Sequence, residues 1–307
     1  MQSLFRKLSL TGIMLCLVIT AAACGSSGNK TAEGGKPTIK IGSKNFTEQF
    51  ILGEIYAQVL EANGYNVERK LNLGGTDVAF QALKNGDIDL YPEYTGTALQ
   101  DVLKGSVLND ENAVYDAVKK GYKENWNIDV LNQTPFNNTY VLVTTKEVAE
   151  KYQLKTLSDL AAKAPELNFA LIPEFGERAD GLPGLQKAYG GFQFKSAKLF
   201  DIGLKYKALT DHKVDVTIGF GTDGQIAGYN LVSLQDDKRF WPPYHAAPQI
   251  RGDLLKSHPE VGDILNKVDA LLTDNVMAGL NWQVDGPEKI EPEDVAKTFL
   301  TEQGLLK

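Results

Sequence analysis

The stretch TIKIGSKNFTEQFILGEIYAQVLEANGYNVERKL, residues 38–71, decides the fold because it changes pattern twice. A β-branched run at 38–41 predicts a strand, and apolar residues at helical spacing from Phe46 to Leu60 predict a helix that stops near Gly64. A second strand is predicted at 67–71. Such alternation of strand and helix indicates an α/β protein whose sheets are flanked by helices.

The same alternation continues along the rest of the chain. We predict further strands at 87–90, 140–143, 169–171 and 214–218, helices at 95–103, 111–125, 156–163 and 184–189, and a largely helical tail at 251–307. No internal repeat interrupts this order.

Length and composition narrow the class of protein. The chain has 307 residues, of which 43% are hydrophobic and 23% charged, which excludes collagen-like, coiled-coil and mostly disordered chains and suggests about two domains. Its net charge of −7 disfavours nucleic acid as a partner. With two Cys and three scattered His, we expect neither a disulfide framework nor a metal site, and no cofactor.

The N-terminus predicts export. Residues 1–23 combine the basic pair Arg6 and Lys7 with a short apolar stretch that ends in small residues, as signal peptides do. The run Ala21-Ala22-Ala23-Cys24 resembles a bacterial lipobox, although Leu is usual at the place of Ala21. We therefore predict lipidation of Cys24, a flexible tether over 24–37 and a location at the outer face of the bacterial cell membrane. A plain signal peptide with an incidental cysteine is the alternative.

Segments rich in polar and aromatic residues follow the predicted strands, where binding loops usually lie. They are GSKNFTE at 42–48, DLYPEYTGT at 89–97, PEFGERADG at 173–181, GFGTDG at 219–224 and FWPPYH at 240–245.

Together these segments resemble the substrate-binding lipoproteins of osmoprotectant ABC importers, which capture glycine betaine, choline, carnitine and related quaternary ammonium compounds. The resemblance implies an α/β, two-lobed periplasmic-binding-protein fold, type II-like, whose chain crosses twice between the lobes. It places lobe one at 38–139 plus 245–307 and lobe two at 140–244. It also implies transmembrane subunits of an ABC transporter as partners, and we expect a monomer whose membrane contact is the lipid anchor.

The family resemblance assigns an aromatic cage for the trimethylammonium head to Tyr94, Tyr140, Phe220 and Tyr244. A quaternary ammonium has no N–H to donate, so aromatic faces recognise it through their negative quadrupole potential, at about 0.5–2 kcal/mol per contact. Phe220 stands where the family usually has Tyr, so it keeps the ring and loses the hydroxyl.

The resemblance also assigns a carboxylate clamp to Lys44, Thr97 and Arg178, which can supply a point charge, a hydroxyl and a two-pronged donor. Choline has no carboxylate and would leave the two cations unpaired, so the clamp favours a zwitterion, glycine betaine first. Asn138 and His245 are further candidates for ligand contact. Choline, carnitine or a larger betaine such as ergothioneine stay open as alternatives.

Two other classes of function compete with a solute receptor. The chain has no Ser/His/Asp set, phosphate loop or metal-ligand spacing, so we predict that it is not an enzyme. A structural surface lipoprotein would explain the tether but not the segments at the strand ends.

Overall fold

A computed structural model describes residues 36–306, which lie within one compact unit. The predicted signal peptide, Cys24 and nearly all of the predicted tether lie outside the described residues. In the described range, strands and helices alternate as the sequence predicts.

Two five-stranded sheets form the frame. The first has the order β2-β1-β3-β10-β4 and the second the order β7-β6-β8-β5-β9. In each sheet the first three strands are parallel, and the fourth runs antiparallel to both of its neighbours. The strands are β1 Thr38–Gly42, β2 Asn66–Lys70, β3 Leu90–Tyr94, β4 Ile128–Val130, β5 Tyr140–Thr144, β6 Asn168–Leu171, β7 Ser196–Leu199, β8 Val216–Phe220, β9 Val232–Leu234 and β10 Ala246–Arg251.

Helices fill most of the connections. They are α1 Thr47–Ala62, α2 Thr76–Asn85, α3 Thr95–Thr97, α4 Glu111–Trp126, α5 Lys146–Tyr152, α6 Leu157–Lys163, α7 Pro173–Glu177, α8 Leu182–Tyr189, α9 Lys205–Thr210, α10 Gly224–Gly228, α11 Gly252–Ser257, α12 Glu260–Asp269, α13 Asp274–Asp285 and α14 Pro292–Glu302. A π-helical turn at Ala98–Val102 continues α3, and a 3₁₀ turn at Ala164–Glu166 follows α6.

The chain passes between the sheets twice, from β4 to β5 and from β9 to β10. The α/β class and the two crossings are therefore confirmed. The predicted lobe limits at 139/140 and 244/245 fall at or beside these connections, and the assignment of lobes stays a prediction.

The third strand differs from its prediction. The sequence pattern ends this strand at Leu90, whereas β3 begins there and continues through Pro92 to Tyr94. Pro92 faces Pro248 across the antiparallel pair of β3 and β10. A proline has no N–H to donate, so two facing prolines fit a position at which the pair exchanges no N–H bonds. Tyr94 consequently lies on a strand end and not in a loop.

Helix α1 holds the GSKNFTE segment, residues 42–48, in place. Ile51, Leu52 and Ile55 are fully buried, and the helix packs against α12, α13 and α14. Burial of each such side chain contributes about 1.5–3 kcal/mol, so the start of the helix is held firmly. Within residues 36–306, no helix is both long and apolar enough to cross a membrane.

Candidate ligand cavity

One cavity gathers the predicted site residues from both sheets. It contains about 510 Å³ of space outside protein atoms, its open mouth included. Lys44 and Tyr94 come from the strand ends of the first sheet, while Tyr140 and Phe220 come from the second. The carboxyl ends of parallel strands are where α/β folds place their ligands. All seven predicted ligand-binding residues line this cavity: Lys44, Tyr94, Thr97, Tyr140, Arg178, Phe220 and Tyr244.

Aromatic rings form one wall of the cavity. Tyr140 pairs with Phe220 across β5 and β8, and their ring centroids are 5.5 Å apart. The ring of Tyr244 lies 5.7 Å from that of Tyr140, in an edge-to-face arrangement. The aromatic wall therefore draws rings from three separate segments of the chain.

Phe46 adds a fifth ring that the sequence analysis assigned only to a helix face. It stacks on Phe220 at 5.6 Å and on Tyr94 at 6.2 Å between ring centroids, and it lines the cavity. Its position in the GSKNFTE segment, two residues after Lys44, was the sequence signal that could have identified it as a site residue. Its apolar helical spacing explained it equally well as a core residue.

Two tyrosine hydroxyls of this wall donate to buried carboxylates. Tyr94 Oη donates to Glu48 Oε1 at 2.8 Å, and Tyr244 Oη donates to Asp180 Oδ2 at 2.6 Å. Burial, followed by the nearby carboxylate, raises the pKa of both phenols well above its usual value. Both rings thus stay neutral and keep a fixed orientation.

The second wall carries the two cations, and each already has an anionic partner. Lys44 Nζ lies 2.6 Å from Glu93 Oε1, with both side chains buried. Burial lowers the pKa of Lys44, although Glu93 opposes that change. Arg178 Nε donates to Asp180 Oδ1 at 2.7 Å, and its Nη1 lies 3.3 Å from Asp101 Oδ2.

Thr97 and Thr76 complete the surroundings of Arg178. The guanidinium donates to the Oγ1 atom of each threonine at 3.3 Å. A ligand carboxylate would therefore meet a preformed donor cluster in which Asp180 already uses two of the donors. The expectation that choline leaves Lys44 and Arg178 unpaired is wrong in its premise, since Glu93 and Asp180 pair with them.

The two further candidates differ in position. Asn138 lines the cavity and donates through Nδ2 to Glu48 Oε1 at 2.8 Å. His245 is not among the lining residues: its Nδ1 lies 3.0 Å from the carbonyl oxygen of Thr134, and its Nε2 lies 3.3 Å from Glu111 Oε2. Successive side chains of extended backbone point in opposite directions, so a chain that turns Tyr244 inward turns His245 away. The structure thus does not support ligand contact by His245.

The charge balance around the cavity is negative. Two cations, Lys44 and Arg178, are surrounded by five carboxylates: Glu48, Glu93, Asp101, Asp180 and Glu174. Glu174 lines the cavity and was not assigned to the ligand by the sequence analysis. An excess of carboxylates with aromatic faces suits a positively charged group. Within residues 36–306, no group of three His, Cys, Asp or Glu side chains is placed to hold a metal ion.

Comparison with known proteins defines the class of protein. Residues 37–302 match the family described as the substrate-binding domain of the ABC-type glycine betaine transport system, and the chain belongs to this family. The family consists of solute-binding proteins of transporters.

Individual relatives share much of the sequence. The chain is 38% identical over 289 residues to the carnitine transport binding protein OpuCC of Listeria monocytogenes, covering 92% of this chain and 93% of that one. It is 40% identical over 271 residues to the ergothioneine transport permease/ergothioneine binding protein EgtU of Helicobacter pylori, covering 88% of this chain but only 48%, about half, of that longer protein. A crystal structure of a glycine betaine/carnitine/choline ABC transporter protein aligns with a TM-score of 0.73 at 34% identity, covering 88% of this chain and 100% of that one.

Proposed function

We propose that this chain is the extracytoplasmic receptor of an ABC importer and captures a betaine-type quaternary ammonium compound, with glycine betaine as the first candidate. The observation that carries the proposal is the convergence of five aromatic rings from both sheets on one cavity with an excess of carboxylates. Such rings recognise a trimethylammonium group that hydrogen bonds cannot recognise.

Family membership supports the transport role. Substrate-binding domains deliver a ligand to membrane subunits, so the proposed partners are the transmembrane subunits of an ABC transporter. The ligand would lie between residues of the two sheets, and closure of two lobes around it is the usual response of such receptors. The lobes of the proposal are residues 38–139 plus 245–307 and residues 140–244.

The proposed cellular location rests on the N-terminal sequence. Lipidation of Cys24 after removal of residues 1–23 would tether the receptor to the outer face of the membrane. We propose that the receptor acts as a monomer without a cofactor and without catalysis. Mass spectrometry of the membrane-derived protein tests the lipid: an acylated N-terminal Cys24 supports it, and an unmodified N-terminus contradicts it.

The ligand proposal is tested by calorimetric titration of the purified protein with glycine betaine and choline side by side. Tight binding of either compound supports the cage. Glycine betaine at least tenfold tighter than choline supports the Lys44, Thr97 and Arg178 clamp as well. Equal affinities support the cage and contradict the clamp.

A larger betaine is the second candidate, and Glu174 is the observation that favours it. This carboxylate lines the cavity beyond the groups that a small betaine requires, and it can accept a hydrogen bond from an N–H on an extended ligand. Carnitine and ergothioneine belong in the same titration series. Ergothioneine binding that weakens in Glu174→Gln, with glycine betaine binding unchanged, would establish this second candidate.

A further inference from the structure

A buried carboxylate stands behind the aromatic wall without lining the cavity itself. Glu48, in the first turn of α1, is only 3% exposed. Its two oxygens accept four hydrogen bonds: from Tyr94 Oη at 2.8 Å, Asn138 Nδ2 at 2.8 Å, Asn281 Nδ2 at 2.8 Å and Thr222 Oγ1 at 2.5 Å. Tyr94 and Asn138 line the cavity, so Glu48 holds two of its lining residues from behind.

Glu48 differs from the other buried carboxylates of the site in having no cationic partner. Glu93 is paired with Lys44 and Asp180 with Arg178. Across residues 36–306, no Lys, Arg or His nitrogen lies within ion-pair distance of Glu48. A buried carboxylate that lacks a counter-charge is costly even when its oxygens are hydrogen bonded. Glu48 is therefore the buried carboxylate of the site that no cation of the described residues compensates.

The neighbouring titratable groups do not remove this charge. Those that face Glu48 or its partners are Tyr56, Tyr94, Lys44, Lys205, Asp223 and Asp285. The ammonium of Lys44 lies 4.8 Å from the centroid of the Tyr94 ring and is paired with Glu93 at 2.6 Å. Lys205 is already paired with Asp223 at 3.0 Å, and Asp285 accepts hydrogen bonds from Thr47 and Gln225. Burial raises the pKa of Glu48 to about 7, against the opposing effect of its hydrogen-bond donors and with a small contribution from Asp223.

We propose that Glu48 is a positioning residue that supplies the counter-charge for the ligand's quaternary ammonium from behind Tyr94, so that cation binding and ionisation of Glu48 are coupled. The inference rests on the proposed function, because it requires a cation in the aromatic cage. The hydrogen bond from Tyr94 Oη fixes the ring between the carboxylate and the cavity. A cation bound on the cavity side of that ring stabilises the ionised carboxylate, and the ionised carboxylate in turn strengthens cation binding.

The direction of the pH dependence follows from this coupling. Cation binding lowers the pKa of Glu48 in the complex below its value in the empty protein. In acidic solution the carboxyl group is protonated before binding and must release its proton when the ligand enters. Affinity for the cation therefore rises with pH and levels off once pH exceeds the pKa of about 7 in the empty protein.

Choline is the sharpest probe because it has no carboxylate to pair with Lys44 or Arg178. We would titrate the full-length chain in nonionic detergent with choline between pH 5.5 and 8.5. The expected dissociation constant is about tenfold lower at pH 8.5 than at pH 5.5, an effect of the size that two charges separated by one ring produce. Glu48→Gln should bind choline with nearly the same affinity at both pH values, close to that of the wild type at pH 5.5.

Proton release provides a readout that needs no variant. Calorimetry at pH 6.5 in two buffers of different ionisation enthalpy counts the protons released when choline or glycine betaine binds to the wild-type protein. Release of a substantial fraction of one proton supports the coupling. Tyr94→Phe keeps the ring and removes the hydroxyl link, and it should reduce the pH dependence. His245→Gln alters the imidazole next to Tyr244 and should leave the pH dependence intact.

The outcomes separate the inference from the proposed function. Tight binding with no pH dependence and no proton release would overturn the role of Glu48 and leave the receptor proposal standing. A pH dependence that persists in Glu48→Gln and disappears in His245→Gln would also overturn it. If neither glycine betaine nor choline bound at any pH, glycine betaine would be refuted as the first candidate ligand, and the coupling proposed for these two cations would be overturned with it.

Discussion

The aromatic wall and the charged wall of the cavity are built in opposite ways. The rings of Tyr140, Phe220 and Tyr244 contact one another by their faces and edges. By contrast, Lys44 and Arg178 each hold a carboxylate of the protein within ion-pair distance. One wall thus offers aromatic faces, of which those of Tyr94 and Phe220 already have a lysine ammonium 4.8 Å and 4.5 Å from their ring centroids. The other wall offers cations that are paired with carboxylates of the protein.

This difference indicates how strongly the protein should discriminate in affinity between a betaine and choline. If Lys44 and Arg178 had no partners, choline would incur the full cost of leaving two buried cations unpaired. Glu93 and Asp180 already pair with these cations. The free energy that a ligand carboxylate contributes is therefore only the difference between the hydrogen bonds it forms and those it displaces or shares. A net hydrogen bond of this kind contributes about 1 kcal/mol, so we expect modest discrimination from the charged wall and most of the affinity from the aromatic wall.

Tyr244→Ala should produce the largest effect, because it removes a ring of the aromatic wall. We expect a loss of about 3 kcal/mol, or more than a hundredfold in affinity, for glycine betaine and choline alike, from the lost cation–π contact and the lost apolar packing. Calorimetric titration measures it. Tyr229→Ala, which removes an exposed ring that packs edge-to-face against Trp282, is the control. Unchanged affinity in Tyr244→Ala would exclude this residue from the cage.

Arg178→Ala should produce the next largest effect, and it should depend on the ligand. Glycine betaine is expected to lose about 1 kcal/mol, near fivefold, because its net hydrogen bonding to the guanidinium is lost, while choline loses much less. Choline titrated into the same variant is the internal control, since both ligands experience any structural effect of an unpaired Asp180. Equal losses for the two ligands would show that the carboxylate lies elsewhere.

The lowered pKa of Lys44 predicts a pH dependence of affinity that only a ligand with a carboxylate should show. Burial lowers the pKa of this ammonium, so Lys44 loses its charge at a lower pH than an ordinary lysine does. Glycine betaine affinity should therefore fall, by about threefold to tenfold, as pH rises through the alkaline range, and choline affinity should not. Titrations from pH 8 to pH 10.5 measure the difference. Lys44→Arg keeps its charge at alkaline pH, so a decrease that persists in this variant would contradict the assignment.

Phe220→Tyr should produce the smallest effect. The substitution keeps the ring that stacks on Phe46 and pairs with Tyr140, and it adds the hydroxyl that Phe220 lacks. Because ring faces and not hydroxyls contact a trimethylammonium group, we expect affinities for both ligands to change by less than about threefold. A larger change confined to glycine betaine would mean that the two walls are not independent at this position.

The site residues differed in how well the sequence indicated them. Tyr94, Tyr140 and Tyr244 lie in short motifs beside strands, and the structure places all of them on one cavity. Phe46 was missed because its apolar spacing fitted a helix face. The predicted third strand ended at Leu90, whereas β3 continues through Pro92, which faces Pro248, 156 positions further along the chain.

The partners of the charged groups could not be read from any local pattern. Glu48 receives its hydrogen bonds from residues 46 to 233 positions away in the chain, and Lys44 meets Glu93 across 49 positions. Asp180, by contrast, lies only two residues from Arg178 in the chain. Long-range pairs depend on strand order and helix packing, which periodicity does not specify.

The sequence by itself determined the alternation of strands and helices and the segments that follow the strands, because these depend on residue type and short-range spacing. Its resemblance to a known family assigned four of the five rings that line the cavity. Only the tertiary structure decided which charges are compensated. It paired Lys44 with Glu93 and Arg178 with Asp180 and left Glu48 without a cation. The physical reason is that the energy of a buried charge depends on distance and on exclusion of water, and both arise only when distant segments pack together.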